Sequence, residues 1–144
     1  MIEAYTDGAC RSGQCSCAWV LRGSKMDTHE SRYLGPELHT NNYAEYMGLL
    51  DLLRFLYASN LRNVIIYSDS QLVVRQVTQV YETHEDELRP LMIRAYGLLT
   101  RGCHVLKHVK GHDGNPGNEE ADRLCNVILD EEAQRETVFN SEAD

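Results

Sequence analysis

The spacing of apolar positions changes period more than once along this chain. Ala4-Tyr5-Thr6-Asp7 reads as a short strand that stops at Gly8. Ser16 to Leu21 (Ser-Cys-Ala-Trp-Val-Leu) reads as a second, bracketed by Gly13 and Gly23, and Thr28 to Leu34 as a third, ended by Gly35-Pro36. Three strands with short connections predict an antiparallel meander. From Asn42 to about Ala58 the period becomes helical, with Leu49, Leu52, Leu53 and Leu56 on one stripe and Thr40, Asn41 and Asn42 as cap candidates. Asn63 to Ser68 is a β-branched run too short for a helix, and reads as a buried strand with Asp69 at its end. Ser70 caps a short helix to about Val77, Glu82 to Glu87 is an acidic connection, and Leu88 to Thr100 is a helix stopped at Gly102. Cys103 to Val109 alternates as a fifth strand. A glycine-rich loop, Gly111 to Gly117, leads into a last helix that starts at Pro116 or Asn118, runs through Leu129 and frays into an acidic tail.

The order β-β-β-α-β-α-α-β-α places strand–helix–strand units after the meander, which calls for parallel neighbours joined by right-handed crossovers. The predicted class is therefore α/β, one mixed sheet with helices on its faces. At 144 residues a single domain is expected; its bounds are read as 1–130, with 131–144 a flexible acidic tail. No signal-peptide pattern opens the chain and no apolar run reaches a membrane span, so a cytoplasmic, non-membrane protein is expected. Five cysteines, Cys10, Cys15, Cys17, Cys103 and Cys125, form no C-x-x-C pair and read as reduced thiols. The net charge of −8 excludes a strongly basic binder. Six acids and one arginine between Asp130 and Asp144 account for −5 of it, so charge alone does not exclude a polyanionic substrate.

Four acids stand apart from the solvated majority. Asp7 and Asp69 each end a strand in a Tyr-x-Asp arrangement, with Tyr5 and Tyr67 on their own faces. In open α/β sheets ligands bind beyond such carboxyl ends. Glu45 falls on the Leu49–Leu52–Leu56 stripe, and Asp122 lies at the edge of the arc of Ala121, Cys125, Ile128 and Leu129. Carboxylates turned inward are expensive unless paired or bound to a cation. Gathered together they would raise one another's pKa, and hard divalent cations relieve that repulsion. Two such ions activate water and stabilise the leaving oxygen of a phosphodiester. His112, in the glycine-rich loop, is the candidate proton carrier; the other five histidines read as surface residues.

Tyr5-Thr6-Asp7-Gly8-Ala9, Thr40-Asn41-Asn42-Tyr43-Ala44-Glu45, Tyr67-Ser68-Asp69-Ser70-Gln71, and Val109-Lys110-Gly111-His112 through Gly117-Asn118-Glu119-Glu120-Ala121-Asp122 resemble, in order and spacing, the motifs of type 1 ribonuclease H. The match spans residues 1 to about 130. The resemblance implies a ribonuclease H-like fold, a five-stranded mixed sheet whose first three strands are antiparallel. It implies an endoribonuclease that hydrolyses the RNA strand of RNA–DNA hybrids, leaving 5′-phosphate and 3′-hydroxyl ends, with two Mg²⁺ ions and Mn²⁺ as an alternative. Asp7, Glu45, Asp69 and Asp122 match the family's metal-binding acids, and His112 its mobile-loop histidine. Asn41, Asn42 and Gln71, with Gly8 beside them, match residues that touch the hybrid's minor groove, where short amide side chains can read a 2′-hydroxyl. Asn118 also matches, although capping the last helix accounts for it equally well.

Two departures bear on substrate grip. Some members carry a basic, Trp-rich protrusion where this chain has Tyr81-Glu82-Thr83-His84-Glu85-Asp86-Glu87, and some place a phosphate-binding Arg where it has Leu38. With Arg75, Arg89, Arg94, Lys107 and Lys110 as the available cations, hybrid binding should be weak and salt-sensitive. Duplex RNA is a second substrate to consider, and a monomer is expected. Two other readings compete, a DNA nuclease of the same fold and a non-catalytic hybrid-binding module. The Asn-rich turn and the His112 loop count against the first, and the four intact acids against the second.

Overall fold

The computed structural model describes residues 1–35, 40–78 and 87–143. Leu38 and the segment 81–86 lie outside the described residues. Five strands, β1 (Glu3–Arg11), β2 (Gln14–Arg22), β3 (Asp27–Gly35), β4 (Ile65–Ser68) and β5 (Val105–His108), form one sheet in the order β3-β2-β1-β4-β5. The β1–β2 and β2–β3 pairs are antiparallel, and β1–β4 and β4–β5 are parallel. Helix α1 (Asn41–Ala58) leads from edge strand β3 across to β4, α2 (Gln71–Val77) with α3 (Arg89–Arg101) joins the parallel pair β4–β5, and α4 (Pro116–Ala143) follows β5. The β-β-β-α-β-α-α-β-α order is the one the apolar spacing predicts. No helix among the described residues is long and apolar enough to cross a membrane.

Strand alternation divides the interior into two layers. Ala4, Trp19, Leu21, Ile66 and Leu106 face the leucines of α1 together with Val73 and Leu99 of α2 and α3. Tyr5, Ala18 and Val20 face the other way, onto Ala121, Leu124 and Cys125 of α4. Because helices cover both faces of its centre, β2 is buried along nearly its whole length, whereas edge strand β3 is largely exposed. Helix α1 is buried on several sides, between the sheet and α3, which is why its apolar residues exceed a single stripe. Its cap is Thr40, whose side chain accepts from the Tyr43 N–H at 3.2 Å. Ser70 caps α2 in the same way, through the Val73 N–H.

Three readings of the sequence change here. β1 does not stop at Gly8: it continues to Arg11 and turns through Ser12 and Gly13, whose φ values of 53° and 79° suit a two-residue hairpin. That hairpin sets Cys10 directly opposite Cys15, and the two form a disulfide rather than standing as free thiols. α4 does not fray after Leu129 but remains helical to Ala143. Its extension is held to the hairpin by an Arg11–Asp130 ion pair at 2.7 Å and by a Gln14–Glu136 hydrogen bond at 2.7 Å. A period-based reading misses these anchors because both partners are polar. Unfolded, non-reduced protein should therefore titrate three thiols, Cys17, Cys103 and Cys125, and five after reduction. Five thiols before reduction would show the hairpin unbridged.

Candidate active site

The geometry of the site starts from the unequal flanks of β1. Its pairing with β2 runs on to Arg11, while its pairing with β4 ends at Thr6↔Ser68. Tyr5 and Tyr67 are register partners and stack with ring centroids 5.1 Å apart. Asp7 and Asp69 are the next residue on each strand, so they emerge side by side where β1 loses a neighbour. Asp7 thus lies within its strand, not at its end, and stays buried at 3% exposure.

Glu45 joins them because α1 lies against bare backbone. A Cβ on Gly8 would stand 2.2 Å from the Ala44 carbonyl carbon and 2.4 Å from the Glu45 nitrogen. A Cβ on Gly48 would stand 2.6 Å from the Asp7 carbonyl oxygen. The two glycines, one on each element, permit this contact, and it brings Glu45 onto Asp7. From the opposite face α4 makes a similar approach, with Gly117 where a Cβ would lie 2.3 Å from the Tyr5 ring. Asp122, one turn further along α4, follows from that placement.

Carboxylate oxygens of Asp7, Glu45 and Asp69 lie within 4.8 Å of one another. Asp122 stands outside that group, yet its charge bears on both Asp7 and Asp69. Burial, then the Asp69 charge, pushes the Asp7 carboxyl up to about 8, against which the Gly8 N–H donates to its Oδ1 at 2.9 Å. Glu45 is raised well above the ordinary carboxylate range by burial and then by Asp7 and Asp69, and its Oε2 is buried with no hydrogen-bond partner. Asp69 is raised by burial and by Asp122. A buried acceptor without a donor, among acids that resist ionising together, is the donor set that a hard cation completes.

The remaining predicted residues surround this centre. His112 is exposed in the β5–α4 loop at φ 58°, and its charge opposes the rise at Asp69. Gly111 passes so near that a Cβ there would be 3.2 Å from Asp69 Oδ2. Asn41, exposed at the start of α1, accepts from the Cys10 N–H at 3.0 Å through Oδ1, a bond that does not engage its amide NH₂. Asn42 is half-buried beside it and Gln71 is exposed at the start of α2. Gly8 is buried under α1, so it serves the site by admitting the helix. Asn118 is not the cap of α4: Asn115 Oδ1 accepts the Asn118 N–H at 3.0 Å, and Asn118 is 2% exposed with its own Oδ1 unpartnered. Gly48 and Gly117 escape a reading of chemistry-bearing residues. A glycine inside a leucine-rich helix, disfavoured by about 1 kcal/mol, was the available signal for the first.

The RNase H family model matches residues 1–128. The chain belongs to the RNase H family. A ribonuclease H of Paracidovorax citrulli is 33% identical over 145 residues, covering 90% of this chain and 94% of its own. Among solved structures, RNase H1 of the halophilic archaeon Halobacterium salinarum has a TM-score of 0.78 at 32% identity, covering 90% of this chain and 98% of its own. LC11-RNase H1, crystallised in complex with an RNA/DNA hybrid, has a TM-score of 0.77 at 27% identity, covering 92% of this chain and 99% of its own. Family and fold agree with the resemblance that the four motifs carry, and the strand order with its three antiparallel members is that of a ribonuclease H-like sheet.

Two outcomes test the site's construction. Gly8→Ala must push α1 away from β1, so it should destabilise by about 1–3 kcal/mol and weaken divalent-cation binding measured by calorimetry; unchanged affinity would detach Glu45 from the cation site. The raised carboxyls also set a pH dependence. The folded, metal-free protein holds protons at Asp7, Glu45 and Asp69 to higher pH than the unfolded chain does, in the case of Asp7 between about pH 4 and 8, so their contribution to stability falls as pH rises. In EDTA the melting temperature should drop across that window, and Asp7→Asn should raise it at pH 8 by about 2–4 °C for each kcal/mol recovered. A variant no more stable than the parent at pH 8 would contradict the burial argument.

Proposed function

We propose that this protein hydrolyses the RNA strand of RNA–DNA hybrids, using Mg²⁺ held by Asp7, Glu45, Asp69 and Asp122. The observation that carries the reading is the convergence of the buried Asp7 and Glu45 with the half-buried Asp69 on the open flank of β1, the charge of Asp122 on α4 bearing on Asp7 and Asp69. The sharing of this fold with LC11-RNase H1, which was crystallised with a hybrid, supports the choice of substrate. Bound at these acids, a pair of divalent ions supplies Lewis acidity, activating water and stabilising the leaving oxygen.

The chain's own residues do the rest. Deprotonated Asp7 and Asp69, adjacent at the ends of the β1–β4 pairing, fix the ion site on rigid strands instead of on a loop. Glu45 closes it from α1. Asn41, Asn42 and Gln71, at the starts of α1 and α2, offer short amides beside the cut, able both to donate to and to accept from a 2′-hydroxyl. His112, exposed and beside Asp69, can hand a proton to the leaving 3′-oxygen. The products are then a 5′-phosphate and a 3′-hydroxyl.

A short hybrid labelled on its RNA strand, with all-RNA and all-DNA duplexes alongside, tests the reading. The parent protein with Mg²⁺ should cleave the hybrid, and Asp7→Asn or Asp69→Asn should reduce cleavage to background. His112→Ala should slow turnover by about 10²-fold, the lower end of what acid–base assistance supplies. Near-normal turnover in either Asp variant, or equal cleavage of the all-DNA duplex, would sink the assignment.

A further inference from the structure

His108 ends β5 directly opposite Ser68, and Asp69 is the next residue along β4. The chain then wraps Asp69: the Val109 N–H donates to the Ser68 carbonyl at 2.9 Å, and Gly111 passes against the Asp69 carboxylate. On β5, Leu106 belongs to the core beneath α1 and α3, so His108, two residues on, takes the same side but lies beyond the covered part of the sheet, where it is exposed. Helix α2, which starts at Gln71, packs against β5 on this side. Among the described residues the His108 ring makes no hydrogen bond or ion pair. Its charge nonetheless opposes the rise at Asp69, as that of His112 does, which agrees with its place beside that carboxylate.

The surroundings say what such a ring can serve. Residues 87–110 carry five bases (Arg89, Arg94, Arg101, Lys107 and Lys110) against the single acid Glu87, in a chain of net charge −8. The α3–β5 side is thus the cationic side of an acidic protein, and His108 stands where that side meets the carboxylates. A phosphate approaching those acids gains from a donor at their border, and an imidazole donates an N–H whether neutral or protonated.

We propose that His108 is a second substrate-contacting histidine, donating a ring N–H to a backbone phosphate of the hybrid on the α2–β5 side of Asp69. The inference rests on the hybrid-cleaving reading, and its test separates the two. Binding of an RNA–DNA hybrid is followed by fluorescence anisotropy in EDTA, where nothing is cut, and steady-state cleavage is followed with Mg²⁺. His108→Ala should raise both Kd and KM by about three- to tenfold, the scale of one net hydrogen bond, with kcat and melting temperature unchanged. His108→Gln, which keeps an N–H donor, should recover most of the loss. Parental Kd and KM in His108→Ala would overturn the contact, as would a fall in kcat alone, which would instead make the ring a positioning residue for Asp69. If the parent binds hybrid without cleaving it, the nuclease reading fails while the anisotropy comparison still decides the contact.

Discussion

The contact between the backbone of β1 and the first turns of α1 is the constraint from which the rest of the site follows. At Gly8 and at Gly48 the backbone of the opposing element lies so close that a single added methyl group would collide with it. Through that contact Glu45 is carried to Asp7 instead of to solvent. The same contact dries the site, and burial is the largest cause of the raised pKa of Asp7, Glu45 and Asp69, ahead of their mutual repulsion. Close packing and unfavourable charge are therefore one feature. The tighter α1 lies on β1, the harder the acids are to ionise without a counter-ion. A less buried set of acids would ionise more readily without a counter-ion, and would be a poorer cation trap.

What opposes this destabilisation is the two-layered core. α1 is pinned by Leu49, Leu52, Leu53 and Leu56 from one side, and α4 by Ala121, Leu124 and Cys125 from the other. Each helix carries its acid near the N-terminal end and its apolar residues mostly beyond it. Burial of the latter fixes the former, and each fully buried leucine contributes roughly 1.5–3 kcal/mol. Asp69 is fixed differently, by the end of a strand and by the loop from Val109 to His112 folded round it. Two acids are thus held by helices and two by strands, and His112 stands on the loop side, exposed at φ 58°.

Much of this could be read from the chain alone, for a physical reason. Acids on apolar stripes and paired Tyr-x-Asp strand ends violate the usual sorting of polar and apolar residues, and such violations concentrate at functional sites. Asp7, Glu45, Asp69 and Asp122 stood out on that ground. The elements were legible because their periods are strong, down to the Ser70 cap and the Gly102 stop. What was not legible depends on neighbours distant in sequence. Gly8 reads as a strand stop when nothing indicates that α1 will lie on it. The Cys10–Cys15 bridge needs the hairpin register, and the last turns of α4 need Arg11 and Gln14 from the far end of the chain. His108 is one histidine among six until the β4–β5 register sets it beside Asp69.

Net charge is the quantity most easily misread here, because it averages over a strongly polarised molecule. The α4 extension and edge strand β3 hold Asp27, Glu30, Asp130, Glu131, Glu132 and Glu136 against Arg32 and Arg135, while α2, α3, β5 and the loop after it hold Arg75, Arg89, Arg94, Arg101, Lys107 and Lys110. Beyond a Debye length of about 8 Å at physiological ionic strength, exposed charges are largely screened. A polyanion docked on the β5 side therefore experiences the nearby bases far more than the distant tail. The acids it cannot avoid are those at the site itself, and those are the ones that a bound cation neutralises. The −8 of the whole chain and a nucleic-acid substrate are compatible because position, not sum, sets the field where the substrate would lie.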